Sequence, residues 1–496
     1  MTLLPIPQAP RSAVVDLGSN SVRLVVFEGE LRNPMPIFNE KAVLRLGRGL
    51  QSSGRLNEEG VAGALTVMAR YAAVARAMRA DPFEVLATAA VRDASNGPEF
   101  IALLRSRMAG TPIRILAGEE EADRSAGGVL CGIPDAAGVL ADIGGGSMEL
   151  VRLGGGRRGD ARSLRLGVLR LAERAGQDPA RARVIADDDL AGVAWLGECA
   201  GQSLYAVGGA WRTVARIHIA LSGYPLNMVH HYTMSREAAL ELTDLLSNAG
   251  RRQLEKLPGL SRRRLDDLPF AAVALRRVLR ATNARRVVFS ANGQREGWYM
   301  QRMPAAIRAQ DPMLAAAHIM AHSLSRDLDL PPHLLAWTTP LFPGDDPERR
   351  RVREAACWMS DTGSHDHPEY RAEQAHLRIL RQPGVGLTHE TRAFLALAVA
   401  LRYDAEPDAG FLSVARALLP PDAVQRATVL GLALRLAYTL SAGTPALLAN
   451  TRLLTGPTLL LELTEGSGVF AGETVTRRLD RLALALGVPA TTRAAA

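Results

Sequence analysis

Two short stretches of this chain share one design, Asp16-Leu17-Gly18-Ser19-Asn20-Ser21 and Asp142-Ile143-Gly144-Gly145-Gly146-Ser147. Each is an aspartate, an apolar residue and a turn of small residues. A β-prone run precedes each turn, and another follows at residues 22–27 and 148–153. Such a turn exposes consecutive backbone N–H groups and hydroxyls with no bulky side chain in the way, which is what a phosphate group requires. A carboxylate beside it would repel bare phosphate, so Asp16 and Asp142 argue for Mg²⁺ or a water held between carboxylate and phosphate. Asp142 and Glu149 flank the second loop and are the expected Mg²⁺ ligands together with phosphate oxygens, with Asp16 as a further candidate. One glycine-rich turn is usually only a turn; two matched copies point to a duplication in which two phosphate cradles face each other across a cleft.

The elements that must carry these loops follow from periodicity. Residues 84–88 and 113–116 look like buried strands, and residues 58–79 and 99–108 have the apolar spacing of helices. After the second loop, residues 204–207 and 287–290 supply further strands, separated by long helical segments that include an arginine-rich stretch at 261–286. The second half therefore repeats the first in outline, as α/β. Beyond about residue 302 the strand signal fades into Leu- and Ala-rich helices, apart from a short β-like patch within 456–475. The glycines of that patch, Gly466, Gly468 and Gly472, lack the Lys-Ser/Thr and the setting of a phosphate loop.

Composition bounds the rest. With 496 residues the chain is expected to form roughly three or four folding units. Its 47% hydrophobic and 22% charged residues are ordinary for a globular protein. The net charge is +8 and the pI about 9.8. The positive charge is almost all arginine, whose planar fork suits phosphate. The three cysteines, Cys131, Cys199 and Cys357, are far apart and suit a reducing compartment. The proline-rich first ten residues do not read as a signal peptide, and no apolar run reaches membrane-spanning length, so a cytoplasmic location is expected.

The residues resemble the exopolyphosphatase and guanosine pentaphosphate phosphohydrolase family, within the superfamily of sugar kinases, heat-shock chaperones and actin. The resemblance covers roughly residues 13–300. It rests on AVVDLGSNSVRLVV from Ala13, ATAAVRDASN from Ala87, GEEEA from Gly118, DIGGGSMELV from Asp142, AVGGAWRT from Ala206 and SANGQREG from Ser290. It implies duplicated actin-like (ribonuclease H-like) domains at 12–130 and 131–302 around an interdomain cleft, plus an all-α, HD-like module at 303–496. GEEEA separates this family from the kinases and chaperones, and the resemblance makes Glu121 the catalytic carboxylate. Hydrolysis independently needs a carboxylate within reach of the attacking water, and strand 113–116 is expected to deliver Glu121 to the cleft.

The resemblance also assigns Arg92 to the bound phosphate. Gly208 and Gly209 form a third turn, where nucleotide-binding relatives contact adenosine; Trp211 and Arg212 after it suit a phosphate chain at least as well. Ser290, Gly293, Arg295, Glu296 and Gly297 look structural. In the C-terminal module Ser360 stands where the HD metal-binding histidine would be, so an independent metal site there is doubtful. His318, His322, His365, His367 and His376 read as ordinary histidines.

The implied activity is hydrolysis of the terminal phosphate of inorganic polyphosphate, with Mg²⁺ as cofactor and K⁺ assistance left open. The arginine clusters at 262–264 and 349–353 favour a long polyanion. Guanosine pentaphosphate, cleaved to the tetraphosphate, is the alternative substrate, and a nonenzymatic alarmone or polyphosphate sensor is an alternative of another class. A kinase is disfavoured by GEEEA. A homodimer is implied by the resemblance, and no membrane or nucleic-acid partner is expected.

Overall fold

Alternation builds the first sheet. In β1 (Arg11–Leu17), Ala13, Val15 and Leu17 point into one core, and in β2 (Ser21–Glu28) Val22, Leu24 and Val26 join them. β3 (Met35–Val43), β4 (Phe83–Ala87) and β5 (Ile113–Ile115) complete the order β3-β2-β1-β4-β5, antiparallel across the hairpins and parallel from β1 to β5. The helix Glu58–Ala77, capped by the Asn57 side chain accepting from Gly60 N–H at 2.8 Å, covers this core.

The same order recurs in the second sheet. β6 (Gly138–Ile143), β7 (Met148–Gly154), β8 (Arg157–Leu164), β9 (Ser203–Val207), β10 (Thr233–Ser235) and β11 (Arg286–Phe289) run β10-β11-β9-β6-β7-β8, the first copy's succession with one extra edge strand. This is the duplicated actin-like α/β fold. One face of the second sheet, with Val139, Ala141 and Ile143, packs on helices that include Gly209–Leu221 and Leu268–Ala281. Its other face, with Leu140, Val151, Leu153, Tyr205 and Val207, is covered by Ala122, Ala126 and Val129 of the helix Gly118–Gly132. The expected domain boundary at 130/131 thus falls inside one helix, which belongs by packing to the second sheet.

That helix is crossed by the helix Gln294–Arg302 at a separation that only glycine permits. A Cβ on Gly297 would lie 1.8 Å from the carbonyl oxygen of Arg124, and one on Gly128 2.0 Å from that of Gly293. Neither backbone atom can retreat. Gly297→Ala should therefore destabilise the protein by about 3 kcal/mol, read as a lower midpoint in denaturant unfolding.

The computed structural model describes residues 9–464 and 472–494. The chain divides into two compact units, Met1–Ala309 and Gln310–Ala496. Residues 1–8 of the proline-rich start, and Gly466 and Gly468, lie outside the described residues. Among the described residues no helix is long and apolar enough to cross a membrane.

The second unit is mainly helical, but the expectation of an all-α module needs correcting. β12 (Thr451–Leu454), β13 (Leu459–Leu463) and β14 (Ala490–Ala494) form a three-stranded sheet in the order β12-β13-β14. Among the described residues, the β-like patch supplies β13. Its Leu459, Leu461 and Leu463 are buried in strict alternation, a period-two signal too short to register within a leucine-rich background. At the end of the helix Pro347–Met359, Ser360 donates to the Cys357 carbonyl at 2.6 Å and meets the Tyr438 hydroxyl at 2.9 Å. The neighbouring Asp361 is held by Arg326 at 2.9 Å and Arg402 at 3.2 Å.

Candidate active site

Both phosphate-type loops close in the same way. Gly18 N–H donates to the Ser21 carbonyl at 3.1 Å and Gly144 N–H to that of Ser147 at 2.9 Å. The loops face each other at contact distance, since a Cβ on Gly145 would lie 3.0 Å from Ser19 Cβ and one on Gly146 2.8 Å from Ser19 Oγ. Gly18, Ser19, Asn20 and Ser21 form one wall of a cleft, Gly144 to Ser147 the opposite wall, and Gly208 and Gly209 border it.

Strand register places the charged groups. In the first sheet Asp16, Arg23 and Lys41 are direct partners across β1, β2 and β3. In the second sheet the matching row across β6, β7 and β8 is Asp142, Glu149 and Ser163. By alternation Asp142 and Glu149 lie on the face that the helix Gly118–Gly132 covers. Ser125 of that helix donates to Asp142 Oδ2 at 2.5 Å, and Ser163 donates to Glu149 Oε1 at 3.0 Å.

Glu121 sits in the first turn of this helix, with its N–H bonded to the Ala117 carbonyl at 3.0 Å. The expectation that a strand end would present it is corrected: β5 stops at Ile115, and the helix start aims the carboxylate into the cleft. Glu120 turns back to accept from Ala117 N–H at 2.9 Å, which leaves Glu121 as the acidic residue of the turn that lines the cleft. Arg92, at the end of the short helix Ala89–Asp93, donates through Nη1 to Glu121 Oε1 at 2.5 Å and to the Leu116 carbonyl at 2.6 Å.

These carboxylates are held away from their solution behaviour. Burial pushes Glu121 up to about 7, opposed by Arg92 and reinforced by the charges of Asp16 and Asp142. Burial also raises Glu149 well above the usual carboxylate range, with Glu121 and Asp142 adding repulsion. Asp142 is raised by burial despite the Ser125 hydrogen bond, and Asp16 is raised by burial despite Arg295 and Arg23. Since Arg92 holds the Glu121 proton affinity down, Arg92→Gln should move the acid limb of kcat/KM for phosphate release above pH 7, as read from a pH–rate profile.

The sequence pattern of the Ppx/GppA phosphatase family matches residues 24–306. The chain belongs to that family. A second pattern, described as the exopolyphosphatase C-terminal region, matches residues 313–491. A relative named exopolyphosphatase 2 from Mycobacterium tuberculosis is 33% identical over 177 residues, which are 33% of this chain and 54% of that protein. The chain thus spans about half the length of that curated relative. An uncharacterized Streptomyces coelicolor protein is 30% identical over 306 residues, covering 58% of this chain and 88% of the relative. Among solved structures, an exopolyphosphatase from Cytophaga hutchinsonii superposes with a TM-score of 0.53 at 23% identity, covering 59% of this chain and 97% of that one. An Aquifex aeolicus Ppx/GppA family member gives 0.50 at 22% identity, covering 58% of this chain and 96% of its own. These structures share the fold.

In this Ppx/GppA chain, the half-buried Asp142 and the buried Glu149 are direct strand partners and costly to ionise, so a divalent cation beside them would relieve their repulsion. Among the described residues no group of three His, Cys, Asp or Glu side chains is placed to hold a metal unaided. The donor set fits a hard divalent cation that takes one or two carboxylates and completes its shell with phosphate oxygens and water.

Spacing did not reveal most of the basic wall. Arg23, Lys41, Arg212, Arg264 and Arg295 line the cleft. Burial and the neighbouring arginines lower Lys41 to about 8 and Arg212 to about 10, and Arg212 is anchored to the Ala291 carbonyl at 2.9 Å. Arg295 and Ser125 therefore belong to the site although the sequence marked the first as structural and passed over the second. Two arginines of the cluster at 349–353 are not open to a polyanion: Arg351 pairs with Asp311 and Glu348, and the buried Arg353 with Asp345 at 2.8 Å, which leaves Arg349 and Arg350 exposed.

Proposed function

We propose that this chain hydrolyses the terminal phosphate of inorganic polyphosphate, releasing orthophosphate. The observation that carries the reading is a buried glutamate, Glu121, with its pKa near neutrality and aimed between two facing phosphate-type loops. In this reading Gly18 to Ser21 and Gly144 to Ser147 seat the terminal phosphate through N–H and hydroxyl donors. Arg23, Lys41, Arg212, Arg264 and Arg295 take the following phosphates, and Arg92 keeps Glu121 oriented. Glu121 accepts the proton of a water attacking in line with the bridging oxygen. Asp142 and Glu149, with Asp16 as a further candidate, would hold Mg²⁺, which supplies charge neutralisation on the transferred group.

Support for the polymer over guanosine pentaphosphate comes from the number of basic side chains along the cleft and from the names of the relatives. The remaining parts of the reading rest on family resemblance: K⁺ as an assisting ion, an HD-like but metal-free second unit, a homodimer and a cytoplasmic location. The deciding assay follows phosphate release with Mg²⁺ from long-chain polyphosphate and from guanosine pentaphosphate side by side. Faster release from polyphosphate is expected. Preference for guanosine pentaphosphate would rename the substrate, and binding of both without turnover would make the chain a sensor.

A further inference from the structure

The second unit contains a pocket of about 300 Å³ toward which five arginines converge, Arg326, Arg371, Arg402, Arg435 and Arg478. Four of them stand on different helices, Arg371–Leu380, His389–Arg402, Pro421–Ser441 and Glu473–Leu486. Two carboxylates answer them. Asp361 takes Arg326 and Arg402, while Asp404 takes Arg435 and, from the pocket's edge, Arg481 at 3.5 Å. Among the described residues neither Arg371 nor Arg478 has an acidic partner, and the Nε atoms of Arg371, Arg402 and Arg478 are buried without a hydrogen-bond acceptor.

A half-buried guanidinium whose Nε–H has no acceptor and no carboxylate beside it is costly, and two together more so. The repulsion registers on the groups themselves. Burial, with Arg478, Arg481, Arg477 and Arg371 nearby, brings Arg435 down to about 10, and burial with Arg477, Arg402 and Arg371 lowers Arg478. Aromatic rings hold the guanidinium planes in place all the same: Arg402 lies 3.9 Å from the centroid of Tyr403 and 3.8 Å from that of Tyr438, and Arg371 lies 5.5 Å from Tyr403. The donors are thus preorganised around a space that lacks the negative charge to match them.

We propose that this pocket is a second anion site, which binds a short run of linked phosphates. Several donors spread around the space exceed what one orthophosphate can answer, whereas linked phosphates present successive charges at fixed spacing. The same chemistry is offered by a segment of inorganic polyphosphate and by the pyrophosphate groups of a nucleotide such as guanosine tetraphosphate. All of its residues lie in the second unit, so it stands whether or not the Glu121 cleft hydrolyses polyphosphate.

The test is calorimetric titration of the full chain in chelator, so that no turnover intrudes, with tripolyphosphate, guanosine tetraphosphate and orthophosphate in separate arms. Wild type should take up one more equivalent of linked phosphate than Arg371→Gln/Arg478→Gln. The second variant, Thr439→Glu, sets a carboxylate in the pocket; it should raise the melting temperature of the free protein and remove the same equivalent, which decides the matter if the double variant does not fold. Uptake of tripolyphosphate alone identifies a chain segment, and uptake of guanosine tetraphosphate alone identifies a nucleotide. Equal stoichiometry in wild type and variants, or orthophosphate binding as tightly as tripolyphosphate, overturns the proposal.

Discussion

Glu121→Gln should reduce phosphate release by about 10³-fold, in the range that a positioned general base contributes, while polyphosphate still binds. The substitution keeps the shape of the side chain and a carbonyl acceptor for Arg92, so the loops and the basic wall remain. It should also change stability in a direction that depends on pH. With the folded Glu121 near 7 and the unfolded one near the ordinary glutamate value of 4.5, the unfolded chain binds fewer protons between those values. Wild-type stability therefore falls as pH rises across that window, by roughly 3 kcal/mol in total, and is flat above it. The glutamine variant lacks this loss, so its unfolding midpoint should exceed the wild-type value at pH 8 without metal and match it at pH 4. Phosphate release surviving in the variant would remove Glu121 from the mechanism.

Glu149→Gln separates metal from base. Activity should drop about a hundredfold, with the Mg²⁺ needed for half-maximal rate displaced upward, because one of two carboxylate ligands is lost. The metal-free variant should nevertheless be more stable than wild type at neutral pH. Folding raises the Glu149 pKa through burial and the Glu121 and Asp142 charges, so ionised Glu149 penalises the native state, increasingly as pH climbs above the unfolded value. Added Mg²⁺ should close the gap by stabilising wild type more than the variant. Thermal melts of both proteins, with and without the ion, check this. A wild-type protein insensitive to Mg²⁺ would rule out Asp142 and Glu149 as its ligands.

Much of the candidate site was legible because its parts are local. A glycine-rich turn declares itself within six residues, and the duplication sets Asp142 against Asp16. What could not be read was register. Lys41 pairs with Arg23 only because the β2–β3 register shifts at a bulge between Val26 and Phe27, which no count along the chain anticipates. Arg23 had a usable signal, since it occupies in the first copy the place that Glu149 holds in the second. Ser125 needed the helix phase from Glu121, four residues earlier. Arg351 and Arg353 show the opposite failure, because charges close in sequence fan out around a helix and these two meet acids. Those of the second unit's pocket are drawn from positions 326 to 478 and converge only through tertiary packing.

The two matched rows, Asp16-Arg23-Lys41 and Asp142-Glu149-Ser163, give the cleft a polarity. Its acidic end holds Glu121, Asp142 and Glu149; its basic end gathers Lys41 with Arg23, Arg212, Arg264 and Arg295. A linear polyanion lying in such a slot has one favourable heading, with its tip toward the carboxylates and its length along the cations. A phosphate in the middle of a chain would press further negative charge past the acidic end. In the proposed reaction this field would confine cutting to termini, and the products expected from a labelled chain are single phosphates rather than fragments of mixed length.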